Sequence, residues 1–309
     1  MKTTLYTHED FFEHRPPAGH AEKPERLRAV LSALDTPEFS KLIHKQAPCA
    51  KRKDLLLVHG RDYVDEILSS DVKADEIIAL DNDTYLSVGS VRAALRGAGA
   101  AMMAVDDVMA GRTEAAFCAS RPPGHHSRPN AAMGFCLFGN IALAAKYAMQ
   151  KYGLTKVAII DFDVHHGNGT QEMLWDVPGS LFVSLHQEDH YPGTGRVDET
   201  GGKGEVINLP MPGGTSAKQW MQVFTEQAVS QIEQHQPEFI FVSAGFDAHI
   251  DDPLGGFELS DEDFWKIGSI LGELARDKSN SRLVSVLEGG YDLPALGRSV
   301  SKFVGALLD

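Results

Sequence analysis

Residues 156–169 read KVAIIDFDVHHGNG, a short apolar run that ends in two acids, two imidazoles and an amide. The apolar part, Lys156 to Asp163, is β-branched and continuous, so it reads as a strand buried on both faces. Three other runs read the same way: Ser180 to Leu185, Phe239 to Ala244 and Arg282 to Leu287. Elsewhere apolar residues recur three or four apart. That spacing predicts helices over Val91 to Met109, Ile141 to Tyr152, Ala217 to Gln234 and Asp261 to Arg276. Ser260, with Asp263 three residues on, predicts the N-cap of the last of these. Strands alternating with helices predict an α/β fold, an open and mostly parallel sheet with helices on both faces.

The chain has 309 residues and no Pro- or Ser-rich linker, internal repeat or shift in composition, so a single domain over 1–309 is expected. Against 29 basic residues stand 43 acidic ones, a net charge of −14. Such a surface repels phosphate backbones and anionic lipid, so neither nucleic acid nor membrane is an expected partner. No apolar run approaches the roughly 20 residues of a spanning helix, and the N-terminus has no apolar secretory core. Cys49, Cys118 and Cys136 are an odd count without CxxC spacing, which argues against a disulfide framework. A reduced cytoplasmic enzyme is the expectation, with its oligomeric state left open.

Ligand sites in open α/β sheets gather at the carboxyl ends of strands, and the unusual residues here follow the strands. If the strand runs through Asp163, alternation puts Asp161, Asp163 and His165 on one face. Two acids and an imidazole leaving a buried strand are costly unless a metal or paired partners neutralise them. Aspartate and asparagine are also common turn residues at such junctions, but the second histidine and three ligand types outweigh that reading. Asp247, just after FIFVSAGF, is by itself an ordinary loop aspartate. With Asp163 and His165 it would complete a three-ligand set that leaves room for water.

Arg121-Pro-Pro-Gly is followed by His125 and His126. A lone histidine is more often structural; a tandem pair held by prolines favours a catalytic base, since an imidazole near its free pKa suits proton transfer. Glu288-Gly-Gly-Tyr291 places a phenol at another strand end. It is either a turn tyrosine or a donor to a developing oxyanion.

The motifs RPPGHH (121–126), DFDVHHGNGTQ (161–171), SLH (184–186), YPGTG (191–195), SAGFDAHIDDPLGG (243–256) and LEGGY (287–291) together resemble the zinc-dependent histone deacetylase family. The resemblance is greatest to its class II and bacterial deacetylase-like amidohydrolase branch. GHAEKPERLRAV (19–30) is similar to that branch's opening loop and helix, so nearly the whole chain is covered. The resemblance implies the arginase/deacetylase α/β fold and hydrolysis of acylated amines.

By the same resemblance, Asp163, His165 and Asp247 are zinc ligands, with ferrous iron as the alternative metal. His126 is the general base that later acts as acid, and His125 is its electrostatic neighbour. Asp161 supports His125, and Asn168 supports His126. Some family members have aspartate where Asn168 stands; a neutral amide raises the pKa of His126 less. Tyr291 polarises the carbonyl. Phe135 and Tyr191 wall the acyl-lysine tunnel, with Gly134, Leu254 and the rim residue Asp83 also contacting substrate. The Ser184 hydroxyl and the main-chain oxygens of Asp161, Asp163, His165 and Leu185 resemble a structural potassium site. Cys136 is expected to be a buried packing residue and His249 an exposed loop histidine.

Acetyl-lysine in proteins or peptides is the implied substrate, and an acetylated polyamine the alternative. Leu254 suits a neutral rim, whereas the acidic net charge suits a cationic amine. A two-manganese ureohydrolase fits less well, because its Asp-x-His-x-Asp spacing is replaced here by Asp161-x-Asp163-x-His165. A non-catalytic acyl-lysine binder is disfavoured, since every catalytic position is filled.

Overall fold

The computed structural model describes residues 1–309. Its strands are β1 (Thr3–Thr7), β2 (Ile43–Gln46), β3 (Ile78–Ala79), β4 (Tyr85–Leu86), β5 (Ala115–Cys118), β6 (Val157–Asp161), β7 (Ser180–Gln187), β8 (Val206–Met211), β9 (Phe239–Ala244) and β10 (Leu283–Leu287). Eight of them form one sheet in the order β2-β1-β5-β10-β9-β6-β7-β8, parallel throughout, while β3 and β4 make a separate antiparallel pair. Every residue of β5, β6, β9 and β10 is buried, as expected of strands covered by helices on both faces.

β9 has the bounds its apolar run predicts, and β10 begins one residue later. β6 stops at Asp161, two residues earlier than expected, with consequences for the site described below. β5 escapes a reading by pattern because Ala115 and Ala116 carry little strand preference; pairing with β1 and β10 on its two sides makes it a strand. In the sheet, β10 and β9 lie between β5 and β6. The loops leaving these four strands therefore converge at one edge of the fold.

Helices Ser90–Met109, Asn140–Tyr152 and Asp261–Lys278 lie within two residues of their expected bounds. Ser260 and Asp263 form the reciprocal cap, with the Ser260 amide 3.0 Å from Asp263 Oδ2. The expected helix over Ala217 to Gln234 is instead interrupted. An α-helix over Ala217–Val223 passes into a π-turn over Phe224–Val229 and resumes at Ser230–His235. Its buried residues are Trp220, Phe224, Ala228 and Ile232, each four apart. Four exceeds the 3.6 residues of an α-turn, so this row would drift around a regular helix; the wider turn keeps it on the core.

Cys136 is buried, and so is His249, contrary to its expected exposure. His249 accepts the Asp251 amide at Nδ1, and its Nε2 lies 3.1 Å from Asp261 Oδ1. Both ring nitrogens are partnered, which allows the imidazole to leave water.

A charged cluster lies under the N-terminal loop. Glu22, Arg26 and Arg121 have no exposed side-chain surface. Arg121 grips both Glu22 oxygens, at 2.5 and 2.6 Å, and donates to the carbonyl of Phe11. Arg26 reaches Glu22 at 3.2 Å and donates to the carbonyls of Gly290 and Glu288 at 2.6 Å. Burial works against the Glu22 charge, but Arg121 and then His14 hold its carboxyl well below the usual range. Removing that one anion would strand two buried guanidinium groups. Glu22→Gln is expected to lower unfolding free energy by about 3–5 kcal/mol; chemical denaturation measures it, and an unchanged midpoint would contradict this account.

Candidate active site

Just beyond β6 the chain folds into successive side-chain turns. Asp161 Oδ1 accepts the Asp163 amide at 3.1 Å, and Asp163 Oδ1 accepts the His165 amide at 2.9 Å. These side-chain turns follow the end of β6, and Asp163 Oδ1 lies 3.8 Å from His125 Nε2. Asp161 turns to His125 Nδ1, 2.9 Å away. Asp163 and His165 meet Asp247, and the three ligand-type atoms lie within 4.8 Å of one another.

Several observations fit this trio to a metal ion. His165 Nδ1 is 3.0 Å from Asp163 Oδ1 and 3.2 Å from Asp247 Oδ2, yet one imidazole nitrogen cannot satisfy both carboxylates. Asp247 Oδ2 is buried with no hydrogen-bond partner, a costly state for a carboxylate unless a cation meets it. The other oxygens are already held: Asp247 Oδ1 by the Val164 amide, Asp163 Oδ2 by the Gly289 amide. A Cβ at Gly289 would fall 1.9 Å from Asp247 Oδ2 and 2.6 Å from Asp163 Oδ2, so glycine keeps the centre open. Two carboxylates and one imidazole suit a divalent ion with a free position. Asp247→Asn is expected to weaken metal affinity by more than about 100-fold, beyond the cost typical of changes outside the ligand set; metal analysis after dialysis checks it. Full metal retention would remove Asp247 from the ligands.

The tandem histidines approach this centre from the loop after β5. Glu288 Oε2 accepts the amides of Gly124 and His125 at 2.7 and 3.1 Å, fixing the peptide that carries both rings. Their ring centroids are 4.0 Å apart. For His125, burial opposes a charge, but Asp161 and then Asp163 overcome it and raise its pKa well above the ordinary value. For His126, burial and then the neighbouring His125 and His165 lower it well below. Adjacent groups pushed apart in this way divide the acid and base roles. His126 Nδ1 lies 2.8 Å from the carbonyl oxygen Asn168 Oδ1, an acceptor only. The inferred tautomer therefore carries its proton on Nδ1 and leaves Nε2 basic.

A cavity of about 450 Å³ opens over these groups. His126, His165 and Tyr291 line it together with Phe135, Tyr191, Gly134, Leu254 and Asp83. Tyr191 meets His126 edge-on at 5.1 Å, and Phe135 meets Tyr291 edge-on at 5.8 Å. Gly134 has φ +56°, and a Cβ there would come within 2.4 Å of the His126 ring. Phe135 holds φ +68°, a strained value for a side-chain-bearing residue; Thr84 Oγ1 accepts its amide at 3.0 Å. Burial raises the Tyr291 phenol well above its ordinary pKa against the opposing Arg26, and Asp247 and Asp163 add to the rise. The phenol thus keeps its proton for donation.

The structure adds residues that the motifs do not single out. His190 lines the cavity, stacks on His165 with centroids 4.9 Å apart, and has Nε2 2.8 Å from the Leu254 carbonyl. Arg26 sets its guanidinium carbon 4.7 Å from the centre of the Tyr291 ring. Only the position of His190 beside Tyr191 hints at its place. Arg26 sits in an ordinary helical pattern.

A carboxylate–imidazole trio beside a base and a phenol, all at strand ends of an open α/β sheet, is hydrolase architecture. The histone deacetylase domain model matches residues 20–307, and the chain belongs to the histone deacetylase family, as a deacetylase hydrolase. It is 37% identical over 309 residues to "Histone deacetylase 10, chloroplastic" of Oryza sativa subsp. japonica, covering 94% of this chain and 70% of that protein. To the "Histone deacetylase-like amidohydrolase" of Pseudomonas aeruginosa it is 38% identical over 285 residues, covering 90% and 74%. The crystal structure of the HDA15 HD domain superposes with a TM-score of 0.93 at 34% identity, over 99% of this chain and 88% of that one. The fold is accordingly the arginase/deacetylase α/β fold. No helix is long and apolar enough to cross a membrane.

Proposed function

We propose that this protein removes acetyl groups from N-ε-acetyl-lysine in peptides or proteins by metal-assisted amide hydrolysis. The observation that carries this reading is the aromatic-walled cavity that brings His126, Tyr291 and His165 together. Asp163, His165 and Asp247 would hold the metal, zinc in the first instance and ferrous iron as the alternative. Bound there, the ion supplies Lewis acidity to water and to the acetyl carbonyl.

The chain's own groups do the rest. Phe135 and Tyr191 enclose the alkyl stem and exclude water from it. His126 Nε2 takes the proton of the attacking water and returns it to the departing amine. Tyr291 donates its phenol proton in a hydrogen bond to the carbonyl oxygen as negative charge develops there. The His125–Asp161 pair keeps a positive charge beside the base without competing for the proton. Asp83 at the half-exposed rim accepts from substrate amides, and Leu254 adds no charge on its side of the cavity.

A structural potassium ion belongs to the same reading, held by the Ser184 hydroxyl and by the main-chain oxygens of Asp161, Asp163, His165 and Leu185. The pairing of Asp161 with Ser184 in the β6–β7 register supports it. A single catalytic domain is supported by one apolar cluster drawing residues from Leu5 to Leu307. Three unpaired thiols suit a reducing compartment, which we take to be the cytoplasm.

The test is kcat/KM on an acetyl-lysine peptide beside acetylputrescine and acetylspermidine. A peptide preference of about tenfold, worth roughly 1.4 kcal/mol at the rim, is expected. Preference for the acetylpolyamines would keep the chemistry and overturn the substrate assignment.

A further inference from the structure

We propose that Asp252 is a positioning residue for the reaction, aiming Tyr291 and tying it to the Leu254 wall of the cavity. This rests on the reading of Tyr291 as the carbonyl-polarising group. Asp252 is 7% exposed, and all the partners of its carboxylate are main-chain amides. One oxygen, Oδ2, accepts the amides of Tyr291 at 2.6 Å and Asp292 at 3.2 Å. The other, Oδ1, accepts the amide of Leu254 at 2.9 Å.

Tyr291 needs such a hold because two glycines precede it, and Gly290 has φ +119°. Glycines leave the backbone free to rotate, so the direction of the phenol has to be set from outside the segment. Arg26 holds the carbonyl side of the segment at Glu288 and Gly290, whereas Asp252 holds the amide side at Tyr291 and Asp292. The second Asp252 oxygen reaches the wall residue Leu254, whose carbonyl is fixed from across the cavity by His190. One carboxylate thus sets both the donor to the substrate carbonyl and the surface that the acyl-lysine stem passes.

Asparagine is nearly the same shape but has one accepting and one donating edge. Facing three N–H donors, it must leave one edge of the clamp mismatched. The experiment is a double-mutant cycle on acetyl-lysine peptide with wild type, Asp252→Asn, Tyr291→Phe and the double variant. Metal content and Tm are recorded for each. Asp252→Asn is expected to lower kcat by about 10- to 100-fold, the scale of a small misplacement of a reacting group, with metal content unchanged. In the Tyr291→Phe background the same change should cost less than about threefold, because coupled residues are not additive.

Fully multiplicative losses, or no loss from Asp252→Asn, would overturn the role of Asp252. Near-normal turnover by Tyr291→Phe alone would overturn the reading of Tyr291 instead. Should the Asn variant not fold, Asp252→Glu, which keeps the acceptors but displaces them by a methylene, runs through the same cycle with the same two outcomes.

Discussion

His126→Ala is expected to lower kcat on an acetyl-lysine peptide by about 10²–10⁴-fold, the usual contribution of a positioned base. Asn168 Oδ1 can only accept, so His126 presents a lone pair at Nε2, and burial beside His125 and His165 keeps the ring neutral. The other imidazoles around it are otherwise engaged: His125 is held by Asp161, His165 faces Asp163 and Asp247, and His190 Nε2 lies 2.8 Å from the Leu254 carbonyl. KM should move little, since the lost interaction is made in the transition state. Steady-state kinetics with metal content measured in parallel decides it. Activity within a few-fold of wild type would remove His126 as the base.

Tyr291→Phe is expected to cost about 10²–10³ in kcat, the price of one oxyanion donor. The ring's packing against Phe135 and Arg26 survives this change, so the substitution isolates the hydroxyl. A phenol that burial keeps protonated is suited to donate and unsuited to act as base. The loss should therefore fall on kcat and kcat/KM alike. A rise in KM with kcat preserved would make Tyr291 a binding residue.

The parts of this design that are legible in sequence share one property: their chemistry is contiguous. Asp161, Asp163, His165 and Asn168 fall within eight residues, and His125 and His126 are adjacent, so their ligand and base types are visible before any fold is known. β9 is legible because six consecutive residues are buried by helices on both sides. What stays hidden depends on distant pairing. The Glu22–Arg121 pair spans 99 residues and the Arg26–Gly290 contact spans 264, so nothing local marks either. The two-residue overrun at β6 has a local cause: side-chain turns at Asp161 and Asp163 compete with the ladder, and a strand pattern does not register them. His249 reads as a loop histidine because its partner Asp261 lies at the start of the next helix.

The most direct test of the central claim is acetate release from an acetyl-lysine peptide by metal-stripped protein, before and after zinc or ferrous iron is returned. The account predicts turnover that is abolished by stripping, is restored by metal in the wild type, and is not restored in Asp247→Asn. Undiminished turnover by the stripped protein would contradict it.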